Sequence, residues 1–239
     1  MAGALVQTKF AVGSGTGSAT AAMTANVTAG NLLLLIGWNQ SIASHTLTPS
    51  DTLTQSWPAA QVSLTGNNNT LMQLWTLPSS LGGADSLKVT SSGGTDTVTV
   101  LAAEISGVTG FDVGHGQAQT GPGTGANAVS SGAATTTVTD FLLGLAMYEL
   151  ASASNTIAAG TGFTSTASGN IVVVDWSGIG YGTNPCRIEW ESSVAAGSNA
   201  CTFTDATNGG GTQSFVTIFA ALKEGSAAPI LPILGQILT

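Results

Sequence analysis

DSLKVTSSGGTDTVTVLAAEISG, residues 85–107, and NACTFTDATNGGGTQSFVTIFAALKEG, residues 199–225, are the two stretches that decide the fold. Each begins with a short run rich in β-branched residues, breaks at glycines, and continues as a longer apolar run. Two such runs around a Gly-rich turn are typical of a β-hairpin. Because matching runs also precede each stretch, the chain is predicted to use one four-strand unit twice.

The runs upstream match in pairs. The apolar run 32–38 has its counterpart in residues 139–148, and the run 71–75 has its counterpart in residues 171–176, while residues 186–190 form an additional alternating run. The run 32–38 is continuous, short and bounded by turn residues. This pattern predicts a strand that is buried on both faces.

Together the runs predict an all-β protein, a two-sheet antiparallel sandwich with a jelly roll as the expected topology, built from two similar four-strand halves. A single domain is predicted over residues 1–225. Its halves, about 1–108 and 136–225, are expected to be joined by an exposed Gly-rich loop at 109–135. Residues 226–239 are predicted to form an extended apolar arm.

Charge is scarce in this chain. Only 7% of the residues are charged, against roughly 25% in an ordinary soluble domain. With four basic residues and a net charge of −8, the chain lacks the clustered cations that nucleic acids and anionic membranes require. When a surface of hydroxyl and amide groups docks against another protein, few charged side chains have to be desolvated. This favours a subunit packed into an assembly.

Neither a secretory signal nor a membrane-spanning run is recognisable. The first residues, MAGALVQTKFAVGSG, lack the basic and long apolar regions of a signal peptide. No run approaches the roughly 20 apolar residues that cross a bilayer. We therefore expect synthesis without export by a signal peptide and no insertion into a membrane.

The C-terminal segment carries the strongest functional indication. Two prolines favour an extended backbone, and six large aliphatic side chains would together gain about 10 kcal/mol on burial. Such a segment needs a groove, on its own subunit or on a neighbour, and the second alternative makes it an assembly arm. The arm residues are Pro229, Ile230, Leu231, Pro232, Ile233, Leu234, Ile237 and Leu238.

Two residue pairs are candidates for other roles. Cys186 and Cys201 could form a disulfide across adjacent strands, or they could be two small buried thiols. Trp57 and Tyr181 lie in expected loops, so they are the aromatic residues predicted to contact a ligand. Most other aromatic residues lie on expected strands and are assigned to the core.

No catalytic set emerges. His115 has a carboxylate three residues before it, and Glu189 and Glu191 are expected on one strand face, but a solvated loop and a solvated sheet face explain these patterns more simply. No serine lies in a G-x-S-x-G motif. We predict a protein that is not an enzyme and has no metal site and no cofactor.

The segments GN-LLLLIGW, LMQLWTLP and GADSLKVTSSGGTDTVTVLAAEISGV resemble β-sandwich proteins of tailed-phage particles and bacterial surfaces. In those proteins an apolar strand follows an a-G-N turn, and a later segment ends in E-y-S-G-v. Here residues 29–31 and 104–108 carry the match, with Ile105 where an aromatic residue is usual. The resemblance covers mainly residues 25–145 and implies a structural or adhesive role.

The resulting hypothesis is a non-enzymatic structural protein of a phage particle, a capsid decoration or a tail or fibre surface subunit. Its predicted partners are copies of itself and other virion proteins, and its predicted location is the virion surface after synthesis in the host cytoplasm. The alternative is an adhesin module that binds a carbohydrate or a receptor, such as a host surface glycan, through residues 45–57 and 108–135.

Overall fold

The structure, a computed structural model, describes residues 1–39, 45–121, 125–150, 156–159, 172–174, 186–207 and 213–225. Within these ranges the chain is all-β, without a helix. Its 18 strands are β1 (Ala4–Gly13), β2 (Ser18–Ala22), β3 (Leu32–Asn39), β4 (Leu47–Asp51), β5 (Val62–Thr65), β6 (Leu71–Leu77), β7 (Ser86–Ser91), β8 (Val98–Ser106), β9 (Val108–Gly121), β10 (Gly125–Ser130), β11 (Ala134–Thr136), β12 (Asp140–Leu150), β13 (Thr156–Ala159), β14 (Val172–Val174), β15 (Cys186–Val194), β16 (Gly197–Asn199), β17 (Thr202–Thr207) and β18 (Gln213–Glu224).

The first eight strands form two antiparallel sheets. Inner sheet 1 has the order β1-β8-β3-β6-β5, and outer sheet 1 has the order β2-β7-β4. The first strand therefore pairs with the eighth, the second with the seventh, and the third with the sixth. This nesting of early strands against late ones makes most contacts long-range in sequence.

The second half of the chain repeats this arrangement. Inner sheet 2 has the order β9-β18-β12-β15-β14, and outer sheet 2 has the order β10-β17-β13, while β11 and β16 form a small additional sheet. Among the described residues each half thus has eight equivalent strands, so the structure does not show two four-strand halves or only two sheets.

The position of β15 also corrects the sequence alignment. β15 lies beside β12 as β6 lies beside β3, and β14 lies at the sheet edge as β5 does. The counterpart of β6 is therefore the run that begins at Cys186, not the run that begins at Ile171. Both runs are apolar and end near a tryptophan, so composition alone did not distinguish them.

The four main sheets pack as layers around three apolar clusters. The central cluster contains side chains of both inner sheets, for example Leu34 and Leu101 from the first half and Leu143 and Ile218 from the second. Two further clusters lie between each inner sheet and its own outer sheet. The predicted burial of residues 32–38 on both faces is confirmed, because every residue of β3 is buried between two of these clusters.

Neither of the two expected hairpins forms. β7 belongs to outer sheet 1 and β8 to inner sheet 1, and β17 and β18 are divided between the two sheets of the second half in the same way. The Gly-rich segment between β7 and β8 therefore carries the chain from one layer to the next. A glycine-rich reversal can lead either to a hairpin within one sheet or to a strand in the facing sheet. The turn residues therefore did not determine which sheet the returning strand would join.

The expected loop at residues 109–135 is also wrong, since β9, β10 and β11 occupy most of it. β9 pairs with β18 along 12 residue pairs, and this pairing overrides a composition poor in strand-forming residues. The halves instead meet at Gly107, which separates β8 from β9. Its φ of +74° lies in a region that glycine adopts readily and other residues rarely do.

Candidate functional site

Buried carboxylates are the most distinctive polar groups of the structure, and Glu149 shows what they do. Glu149 lies in the second half and is 1% exposed. It accepts hydrogen bonds from the backbone N–H groups of Asn67 (3.0 Å) and Asn68 (3.2 Å) and from the hydroxyls of Thr70 (2.5 Å) and Ser214 (2.6 Å). One carboxylate thereby fastens a turn of the first half to the second half.

Asp96 is the centre of a second network. Its Oδ2 accepts hydrogen bonds from Asn39 Nδ2 (2.7 Å) and Ser91 Oγ (2.5 Å) and lies 2.7 Å from His45 Nδ1. Burial acts to raise the pKa of Asp96, but these hydrogen bonds outweigh it and hold the pKa below its ordinary value. Because Ser91 donates to the carboxylate and not to the imidazole, the arrangement satisfies Asp96 and does not activate the serine as a nucleophile.

Glu104 has the same role at one end of inner sheet 1. It accepts hydrogen bonds from Gln7 Nε2 (2.6 Å), Thr28 N (2.8 Å) and Asn31 Nδ2 (2.6 Å). Burial acts to raise the pKa of this carboxyl, and the hydrogen bonds lower it below its ordinary value. The Glu104 and Asn31 positions belong to the segments that carry the phage-protein resemblance, so their side chains have a structural explanation.

This use of carboxylates is general. Within the described ranges, seven acidic residues accept two or more hydrogen bonds from loops or neighbouring strands: Asp51, Asp85, Asp96, Glu104, Asp112, Glu149 and Glu224. Hydrogen bonds to ionised acceptors are stronger than neutral ones. The few charges of the chain thus hold the loops in place.

Asp140 differs from these residues. It is fully buried, and within the described chain neither of its carboxylate oxygens has a hydrogen-bond partner, since the nearby Thr136 hydroxyl donates to Gly197 O (3.3 Å). Burial, together with the negative charge of Asp112, raises the pKa of Asp140 to about 6, although Lys223 opposes the shift. The Asp140 carboxyl therefore ionises at a higher pH than an ordinary aspartate does.

The histidine and carboxylate near residue 115 do not form a joint site. Asp112 accepts hydrogen bonds from Thr137 N (2.7 Å) and Thr137 Oγ1 (2.8 Å) and lies 3.5 Å from Lys223 Nζ. His115 Nδ1 donates to Ser131 O (2.6 Å). Across the described ranges, no group of three or more His, Cys, Asp or Glu residues is arranged to hold a metal ion.

The two predicted ligand-contact residues have different outcomes. Trp57 is half-buried against the cluster between inner sheet 1 and outer sheet 1, and its Nε1 donates to Asp51 Oδ2 (2.7 Å). Its ring and its polar atom thus already have partners in the protein. Tyr181 lies outside the described residues, as do all eight residues of the predicted assembly arm.

Of the two alternatives for the cysteines, the structure has the pair of buried thiols. Cys186 and Cys201 are both buried thiols that are not joined in a disulfide. Cys186 faces the central cluster, whereas Cys201 lies in the cluster under outer sheet 2, so inner sheet 2 separates them and no disulfide forms. Burial raises the pKa of Cys186 to about 12 and that of Cys201 well above its ordinary value.

A cleft of about 210 Å³, which the sequence did not indicate, lies beside the N-terminal strand. Its walls are Gly3, Ala4 and Leu5 on one side and Phe141, Trp190, Glu191 and Ser192 on the other. It therefore lies where the beginning of the first half meets inner sheet 2. We name it the seam cleft.

A β-bulge shapes one wall of the seam cleft. Between the pairs Leu142–Glu191 and Asp140–Val194, β15 has one residue more than β12. The bulge includes Ser193, whose φ of +59° is unusual for a residue other than glycine and costs about 1–3 kcal/mol. Bulges of this kind redirect side chains and occur often beside functional sites.

Glu224 holds both walls of the seam cleft. Its Oε1 accepts hydrogen bonds from Gly3 N (2.8 Å) and Ser193 N (2.8 Å), and its Oε2 accepts one from Ser193 Oγ (3.1 Å). The N-terminal wall is fixed further by close packing, because a Cβ added to Gly3 would lie 2.7 Å from Cβ of Phe141. The cleft is thus preformed by the fold.

Comparisons with known proteins do not assign the chain to a family. No protein-family model matches the sequence, and no curated protein matches it significantly. The part of the chain that the structure describes contains no helix of the length and apolarity needed to cross a membrane.

Proposed function

We propose that this protein is a non-enzymatic structural subunit of a phage particle, either a capsid decoration or a tail or fibre surface protein. The observation that carries the proposal is the use of charge. Only 7% of the residues are charged, and at least seven carboxylates of the described residues serve as internal hydrogen-bond acceptors, which favours a surface of hydroxyl and amide groups with few free ions. Two such surfaces can dock without desolvating many charges.

The strand order supports the same proposal. In the first half β1 pairs with β8, β2 with β7, and β3 with β6. In the second half β9 pairs with β18, β10 with β17, and β12 with β15. A long hairpin rolled up in this way produces a jelly roll, a fold used by viral capsid and lectin domains. We propose that each half is one jelly roll and that the two stack through their inner sheets.

Assembly is proposed to depend on the C-terminal arm. The six aliphatic side chains of residues 226–239 gain enough free energy to order the segment only if a preformed groove accepts them. A groove on a neighbouring subunit would make the arm the link between copies. The subunit would then reach the virion surface from the host cytoplasm, with copies of itself and other virion proteins as partners.

Removal of residues 226–239 tests this role, because the truncated chain retains every residue that the structure describes. We expect the truncated protein to keep its β-type circular dichroism and its cooperative unfolding but to sediment as a smaller species than the full chain. A full-length variant with Ile230, Leu231, Ile233 and Leu234 replaced by serine is the matched control for chain length and should behave like the truncation. Unchanged assembly of both proteins would contradict the role of the arm.

An adhesin that binds a carbohydrate or a receptor stays the second candidate. The structure gives parts of the predicted contact regions other roles, since residues 108–121 form β9 and Trp57 donates a hydrogen bond to Asp51. The observation that favours ligand binding is instead the seam cleft, which Trp190 lines.

A further inference from the structure

Lys223 lies between two carboxylates at one end of inner sheet 2. Its Nζ is 3.5 Å from Asp112 Oδ1, and Asp112 belongs to β9, the strand next to β18. On its other side Lys223 is the direct cross-strand partner of Asp140 in β12. Residues directly opposite each other in an antiparallel pair have their side chains on the same face of the sheet. The amine and the two carboxyl groups are therefore neighbours.

Asp112 is fixed by donors other than the lysine. Its side chain is 5% exposed, and its two oxygens accept hydrogen bonds from the backbone N–H and the hydroxyl of Thr137. Such donors would stabilise the negative charge that develops on oxygen when a nucleophile adds to Cγ. Burial acts to raise the pKa of Asp112, but these hydrogen bonds and the charge of Lys223 lower it below its ordinary value. A reaction at Cγ of this ionised group therefore needs protons from elsewhere.

Asp140 is the member of the cluster that an ordinary ion pair would not require. It is fully buried, and within the described chain neither of its oxygens has a hydrogen-bond partner, an arrangement that costs stability. Burial, followed by the negative charge of Asp112, raises the pKa of Asp140 to about 6. A carboxyl with a raised pKa takes up and returns protons at neutral pH more readily than an ordinary aspartate.

We propose that Lys223 and Asp112 become joined by an amide bond between Nζ and Cγ, formed by the folded chain itself, with Asp140 transferring the protons. Fixed proximity of two reacting groups accelerates their reaction by many orders of magnitude, and the fold holds the amine beside the carboxyl. The Lys223 side chain is 45% exposed, so the water that the reaction releases has a path to solvent.

The reaction is a condensation that needs no oxidant and no cofactor. Ionised Asp140 accepts a proton from the ammonium group of Lys223, and the resulting amine adds to Cγ of Asp112. The N–C bond forms while one C–O bond of Asp112 breaks. Of the ammonium protons, one stays on the amide nitrogen, and the others leave with the departing oxygen as water after passing through Asp140. One positive and one negative charge disappear together, so the net charge of the chain does not change.

The amide would close nearly the whole second half of the chain into a loop, because it connects β9 with β18. A covalent link across a long loop restricts the unfolded chain. This inference does not depend on the proposed assembly role, since all three residues remain in the chain that lacks residues 226–239. Failure of assembly and absence of the amide can therefore be observed separately.

The test is the intact mass of the purified, denatured full chain. We expect a mass about 18 Da below that of the sequence, which corresponds to one lost water. Lys223→Arg keeps the positive charge but has no amine that can react, so it should show no deficit. Lys88→Arg, the matched control in outer sheet 1, should keep the deficit. Comparison of these variants also cancels any processing of the N-terminus.

Peptide mass spectrometry identifies the bond itself. A branched peptide that joins the segments around Lys223 and Asp112 is expected, whereas an aspartyl succinimide loses the same mass without a branch. Asp140→Asn should leave most of the chain unlinked, and Asp140→Glu, which returns a carboxyl, should restore part of the bond. Circular dichroism of each variant shows whether it is folded.

Because an amide in the wild type would dominate a comparison of stability, the effect of Asp140→Asn on stability is measured on a Lys223→Arg background. The proposal is overturned if the wild type has the full mass of its sequence, if the deficit persists in Lys223→Arg, or if no branched peptide is found. Complete linkage in folded Asp140→Asn would overturn the role assigned to Asp140.

Discussion

Replacing Glu149 with alanine should lower the free energy of unfolding by about 3–5 kcal/mol, the cost of removing one partner from a buried charged network. The substitution would leave two backbone N–H groups and two hydroxyls without their acceptor. Three of the four donors belong to the turn of the first half at residues 67–70. The loss should therefore weaken the contact between the halves as well as the stability of the whole.

The magnitude follows from these contacts. A hydrogen bond to a charged group contributes a net ~1.5–3 kcal/mol, so four of them set an upper limit well above the expected value. The effects are not additive, because removing Glu149 also removes the cost of burying its charge. Glu149→Gln keeps the volume but presents an amide N–H₂ to donors, so a smaller loss of about 2 kcal/mol is expected.

Urea unfolding measured by circular dichroism and by tryptophan fluorescence is the assay. Glu191→Gln is the matched control, because it also removes a carboxylate from the second half but breaks no hydrogen bond within the described chain. Its effect should stay below ~1 kcal/mol. If the halves separate, the two probes will give different midpoints for Glu149→Ala. A loss no larger than that of the control would refute the assigned role of Glu149.

Other predictions concern buried groups of the second half. The pKa of Asp140 is raised from its ordinary value to about 6 in the folded chain. The free energy of unfolding of the wild type should therefore fall as the pH rises from the ordinary pKa of aspartate to about 6. In paired thermal melts on the Lys223→Arg background, Asp140→Asn should be more stable than its parent by about 2 kcal/mol above pH 6 and no more stable at ~pH 3.5. Cys186 and Cys201 should react with a thiol reagent only after denaturation, and rapid native labelling would contradict their burial. Gly144→Ala would place Cβ 2.3 Å from Cys201 Sγ and should cost about 1–3 kcal/mol, whereas Gly110→Ala, with open space around it, should leave the melting temperature nearly unchanged.

The sequence predicts best where burial alone decides the structure. β3 is recognisable because a continuous apolar run bounded by turns is stable only between two apolar layers, and the structure places it there. The repeat is recognisable for a related reason. β7 and β17 alternate polar and apolar residues because one face of an outer sheet meets the core. β8 and β18 are mostly apolar because both faces of an inner sheet are buried.

Connections between strands were harder to predict. The glycines at residues 93 and 94 indicate a reversal of the chain, but they do not determine whether β8 joins the sheet of β7 or the facing one. β9 was missed because its glycines and glutamines have low strand propensity, and its structure depends on pairing with β18 about a hundred residues later. Gly114 shows why small residues occur there, since a Cβ would lie 2.6 Å from Phe219 O.

The seam cleft could not be predicted from the sequence. It brings residues 3–5 next to residues 190–192, and a long-range contact of this kind has no local signal. The unusual backbone of Ser193 also has no signature, because serine does not by itself indicate a positive φ.

An image of the native assembly formed by the full chain tests the proposed role most directly. Negative-stain electron microscopy of the purified protein should show regular oligomers, and phage particles that contain it should show the subunit on their surface. Deletion of residues 226–239 should remove the oligomers without unfolding the subunit. Isolated monomers at every concentration, with the full chain and the truncated chain indistinguishable, would contradict a structural subunit that assembles through its C-terminal arm.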